Sequence, residues 1–119
     1  MSYDINTKQT YNFSADIVGQ AAVKAIQALG GELMSGSNPA KGQIEANFNK
    51  KVKDRALLNR CQLRIKITPD QADSCTVLTK TYPVDPMGNK LAFGVRGDAA
   101  QVVSDTFISE LKNLNGQLL

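Results

Sequence analysis

The chain has 119 residues, 42% apolar and 21% charged, a balance that suits one water-soluble globular domain over residues 1–119 rather than a disordered or fibrous chain. Fourteen basic and eleven acidic residues leave a net charge of +3, too small a surplus to require a nucleic acid or an anionic membrane as partner. Histidine is absent, which removes the commonest general base, the commonest zinc ligand and every Ser-His or Cys-His nucleophile pair.

Residues 7–13 end in Tyr11-Asn12-Phe13, an alternation that suits a half-buried strand; Ser14 then offers a helix N-cap with Asp16 in the first turn. From Ile17 to Leu29 the residues Val18, Ala22, Ala25, Ile26 and Leu29 recur three and four apart, which predicts an amphipathic helix ended by Gly30-Gly31. Glu32 to Gly36 reads as a short strand and Ser37 to Gly42 as a turn. Ile44, Ala46 and Phe48 then alternate with polar neighbours in a one-faced strand. The stretch Lys50 to Arg60 fits a loop, a helical turn or a strand extension equally well.

Cys61, Leu63, Ile65 and Ile67 alternate with Gln62, Arg64, Lys66 and Thr68, the clearest strand pattern in the chain. Pro69 to Ser74 is a predicted turn, Cys75 to Val84 the return strand, Asp85 to Asn89 another turn and Leu91 to Val95 a further short strand. After Gly97-Asp98 a second helix is expected, with Val103, Phe107, Leu111 and Leu114 on one stripe and Gly116 at its end. The order β-α-β-β-β-β-β-α lacks regular βαβ alternation. It therefore predicts an α+β fold: an antiparallel sheet of five or six strands with two helices on one face and Arg64 and Lys66 facing water on the other.

Cys61 and Cys75 are separated by thirteen residues, which matches no CxxC spacing, and each begins its own strand of a hairpin. The two starts lie at opposite ends, about 20 Å apart at ~3.3 Å per residue, so both thiols are expected free and buried. No apolar run approaches the roughly 18 residues of a membrane span, and the first residues carry no secretory pattern, so the expected location is cytoplasmic.

Seven of the fourteen basic residues, Lys50, Lys51, Lys53, Arg55, Arg60, Arg64 and Lys66, fall within one interval that holds a single acid, Asp54. Such a run is a candidate anion or partner site, but no aromatic residue interrupts it to stack on bases. A solvated, aggregation-resistant sheet face explains the charges as well. Gly94-Val95-Arg96-Gly97-Asp98 places two glycines before a helix without the spacing of a nucleotide loop, and Asp98 stands where a phosphate would sit. Asp70, Asp73 and Asp85 occupy predicted turns, where local backbone hydrogen bonds account for them. No catalytic residue, metal or cofactor is predicted.

Ala21-Ala22-Val23-Lys24-Ala25-Ile26-Gln27-Ala28-Leu29-Gly30-Gly31, a turn, Gly42-Gln43-Ile44-Glu45-Ala46, strands and a terminal helix together resemble small uncharacterised bacterial α+β domains. The layout is similar to helix-grip and envelope-assembly modules, and that resemblance implies a binding protein rather than an enzyme. The first expectation is a non-catalytic binding or assembly module that engages another protein through the exposed sheet face or an edge strand. An alternative is a carrier holding a small apolar ligand between helices and sheet, lined by Met34, Phe48, Phe93, Phe107 and Met87. Weak nucleic-acid binding through residues 50–66 is a third.

Overall fold

Alternation in the central strands sets the architecture seen in a computed structural model, which describes residues 3–91 and 97–117. The elements are β1 (Ile5–Tyr11), α1 (Ala15–Ala28), β2 (Glu32–Leu33), a 3₁₀ turn at Pro39–Lys41, β3 (Gln43–Phe48), β4 (Lys51–Val52), β5 (Arg55–Ala56), β6 (Arg60–Gln71), β7 (Ser74–Val84) and α2 (Ala99–Gln117). Five strands form one sheet in the order β1-β7-β6-β3-β2, every neighbouring pair antiparallel. The predicted strand Leu91 to Val95, together with Phe93, lies almost wholly outside the described residues.

Register carries one side-chain set inward in β3, β6 and β7. Ile44 pairs with Ile65 and Ala46 with Leu63; Ile65 in turn faces Thr79, and Ile67 faces Val77. All are buried, and the apolar ones join Val18, Ala22, Ala25 and Ile26 of α1 and Val103, Phe107 and Leu111 of α2 in one hydrophobic cluster. Both helices therefore cover the same face, as the helical stripes require. Ser14 caps α1 by accepting the Ile17 amide at 3.2 Å. Gly30, at φ 84°, ends it: the Gly30 amide donates to Gln27 and the Gly31 amide to Ile26, the double bond of a left-handed helix stop.

The elements differ from expectation in three places. The short strand expected over 32–36 pairs only at Glu32 and Leu33. The strand after Arg60 does not stop at Pro69 but continues to Gln71, so the turn shrinks to residues 72–73. Pairing with β3 ends at Lys66, so Pro69 sits where β6 has β7 as its one neighbour and a missing N–H is tolerated, with a register shift between Pro69 and Gln71. Finally, α2 runs through Gly116 to Gln117.

The outer face of the sheet carries Arg64, Lys66, Leu78 and Lys80, all exposed. It is not wet throughout. Gln62 and Tyr82 share that face yet are only 5% and 6% exposed, because the chain after β7 folds back beside them. Lys90 forms a bridge with Val84, and the Leu91 amide donates to the Pro83 carbonyl at 3.0 Å. Among the described residues no helix is long and apolar enough to cross a membrane.

Candidate functional site

A cleft of 540 Å³ opens at the end of the sheet where β3 finishes and β6 begins. That volume is in the range of small-molecule sites. Its first wall follows from the end of α1. The helix stop turns the chain at Gly30-Gly31, and Gly31 lies so close to the Phe48 ring that an added Cβ would sit 2.8 Å from Cζ. The two paired residues of β2 then deliver Met34, whose amide donates to the Glu45 carbonyl at 2.8 Å. Phe48, fully buried, closes the floor.

The second wall is the turn Val84 to Gly88, held by one carboxylate. Asp85 Oδ1 accepts the amides of Met87 and Asn89, each at 2.9 Å, and the Asp85 amide donates to the Asn89 carbonyl at 2.8 Å. These bonds, that of Asn89 foremost, hold the carboxyl below its ordinary value. The Gly88 carbonyl accepts from Gln62 Nε2 at 3.4 Å, and Gln62 Oε1 accepts from the Tyr82 hydroxyl at 2.7 Å, which fastens the turn to the sheet. Met87 stands at the lip, 88% exposed. Arg60 lines the cleft with its Nε donating to Asn49 Oδ1 at 2.7 Å.

The seven basic residues of the run do not form one patch. Lys50, Lys51, Lys53 and Arg55 are exposed on and around the β4–β5 hairpin, Arg60 lines the cleft, and Arg64 and Lys66 lie on the outer sheet face. Lys50 and Lys53 take left-handed backbone, φ 55° and 57°. The Lys53 amide donates to the Leu29 carbonyl at 2.8 Å, docking the hairpin on the end of α1 over buried Val52 and Leu57. Of the apolar candidates, Phe48, Met34 and Met87 meet at the cleft; Phe107 is fully buried in the core cluster, and Phe93 lies outside the described residues.

Both cysteine thiols are disfavoured as thiolates. Burial pushes the Cys61 thiol up to about 12, and its Sγ donates to the Asn59 carbonyl at 3.9 Å; Cys75 is also free and buried, with its thiol raised by burial and then by Asp70. Among the described residues no three His, Cys, Asp or Glu side chains are grouped to hold a metal ion.

An antiparallel sheet wrapped against a long C-terminal helix is shared with known structures. Ara h 8.0201 superposes with a TM-score of 0.62 at 10% identity, over 96% of this chain and 95% of that one. A START superfamily protein from Mycobacterium smegmatis gives 0.56 at 12% identity, over 98% and 99%. Norcoclaurine synthase from Thalictrum flavum, in complex with dopamine and hydroxybenzaldehyde, gives 0.52 at 11% identity, over 99% and 86%. The fold is a helix grip. At these identities the likeness is one of fold. No family model matches the chain, and no curated protein matches it.

Proposed function

We propose that this protein is a non-catalytic carrier of a small, mostly apolar molecule, held in the cleft at the end of the sheet. The observation that carries the reading is the cleft itself: Met34 supplies an apolar wall above the buried Phe48 ring, Met87 an adaptable lip, and Arg60 a cation for an acceptor on the ligand, on a lining that also carries the carboxylates of Glu32 and Asp85. The shared fold lends support, since one protein that has it is described in complex with two small aromatic molecules. The site differs from the place expected from sequence, between helices and sheet. Binding without turnover is supported by Asp85, whose Oδ1 is engaged by two turn amides, and by Cys61, whose thiol burial keeps protonated.

Amide spectra recorded during titration with fatty acids and small aromatic acids test this. Saturable changes at residues 30–34, 47–49 and 84–88, weakened by Met87→Ala and Arg60→Gln, are expected. Spectra unchanged by the whole panel would remove the reading.

The outer sheet face favours a second reading, a protein partner, because Leu78 is 42% exposed in a trough of 510 Å³ between Lys66 and Lys80. Analytical ultracentrifugation and pull-down with the Leu78→Glu variant as control separate it from the first. The dispersal of the basic run leaves nucleic-acid binding with the least support.

A further inference from the structure

Three cationic side chains, from β6, β7 and the segment after β7, converge beside Tyr82, next to the cleft. Arg64 on β6 and Lys80 on β7 are register partners, and the Val84–Lys90 bridge brings in the third. The Arg64 guanidinium lies 5.8 Å and the Lys90 ammonium 5.2 Å from the centre of the Tyr82 ring. Lys80 and Lys90 both reach one oxygen of Asp4, at 3.5 and 2.6 Å, so two like charges are tied close together. The three surround a hollow of 380 Å³ whose remaining lining is Met34, Gln62, Tyr82, Gly88 and Asn89. Among the described residues no carboxylate lines it. Asp4, 9% exposed, and Glu45, whose Oε1 is 4.0 Å from Arg64 Nε, meet the cations from outside the hollow.

Cations needed only for solubility gain by spreading apart, whereas here a carboxylate gathers two of them and an aromatic ring seats two. The side chains stay about half exposed, at 54% for Arg64, 49% for Lys80 and 47% for Lys90, so an incoming group can reach them. We propose that this hollow binds a phosphate group. A phosphomonoester presents close to two negative charges and three terminal oxygens, matching one planar guanidinium and two ammonium groups, whereas a single carboxylate has one charge and two oxygens. The group can belong to a free phosphomonoester or to the headgroup of an anionic phospholipid. The hollow adjoins the cleft, and Met34, Gln62 and Gly88 line both, but the three cations that would hold the phosphate lie outside the cleft, so the proposal does not need the cleft to be filled.

The test is titration of the ¹⁵N-labelled full chain with inorganic phosphate. Saturable shifts are expected at residues 62–64, 80–82 and 88–90. Arg64→Gln and Lys90→Gln should each lower the affinity at least about tenfold, as loss of a charge-assisted bond implies. Lys66→Gln, on the same face but outside the hollow, should leave it unchanged. Glycerol 3-phosphate and vesicles containing phosphatidic acid then identify the source by which binds more tightly. Shifts that never saturate, or an equal loss in the Lys66 variant, would overturn the proposal, since both mean that the face attracts anions only through diffuse charge.

Discussion

Gly42 is where one added carbon would meet the most resistance. Its φ is 74°, and a Cβ built there would lie 2.2 Å from the Ile67 carbonyl oxygen, on backbone that is itself fixed by the bond from the Ile67 amide to the Gly42 carbonyl at 2.8 Å. Gly42→Ala should therefore cost roughly 1–3 kcal/mol through the backbone conformation alone, with the clash adding to it, as read from urea denaturation. The opposite sign is expected deep in the core. The hydroxyls of Thr81 and Ser104 are fully buried and have no hydrogen-bond partner among the described residues. Replacing a buried, unsatisfied hydroxyl by an apolar group of the same shape removes a desolvation penalty, so Thr81→Val and Ser104→Ala should each raise stability by about 1 kcal/mol. A loss in both would mean that these hydroxyls find partners in solution.

Secondary structure was legible wherever one face of an element is buried. The alternation of Cys61 to Ile67 and the stripe of Val103, Phe107 and Leu111 point inward as their periods require, and Ser14 caps α1 as its position implies. Ser14→Ala should cost that helix about 1 kcal/mol, measurable as a lower denaturation midpoint with an unchanged slope. The hairpin of β4 and β5 was illegible for a physical reason: with two residues per strand it has too little length to show a period. Its shape comes from left-handed Lys50 and Lys53 and from a bond to Leu29, more than twenty positions away, none of which leaves a local mark. The candidate sites divide in the same way. Met34, Phe48, Met87 and Arg60 stand out by type, but the cleft exists because the end of α1 and the turn at Asp85 meet across the sheet. Lys80 and Lys90 carry no signal at all until the chain after β7 folds back over Tyr82.

At the scale of the whole molecule, the titrating groups frame a plateau of stability. On the acid side, burial alone would raise the Asp4 carboxyl. The hydrogen bond and charge of Lys90, with the charge of Lys80, outweigh it and leave Asp4 below its ordinary 3.8; Asp85 is lowered by the amides of its turn. A group depressed on folding contributes stability that is complete above its unfolded value and disappears as pH falls through the folded one. On the alkaline side, burial raises the Cys61 thiol from 9.0 to about 12, and burial followed by the charge of Cys75 raises Tyr11 above 10.0. There the unfolded chain ionises first, so stability is complete below pH 9 and declines as pH climbs toward 12. Urea midpoints should accordingly be level through neutral pH and fall on both flanks. Asp4→Asn should flatten the acid flank. Cys61→Val, which keeps an apolar group of similar size in the core, should make the alkaline fall shallower while leaving the acid flank untouched. An alkaline limb of the same steepness in that variant would show that the buried thiol does not govern it and would transfer the effect to Tyr11 and Cys75.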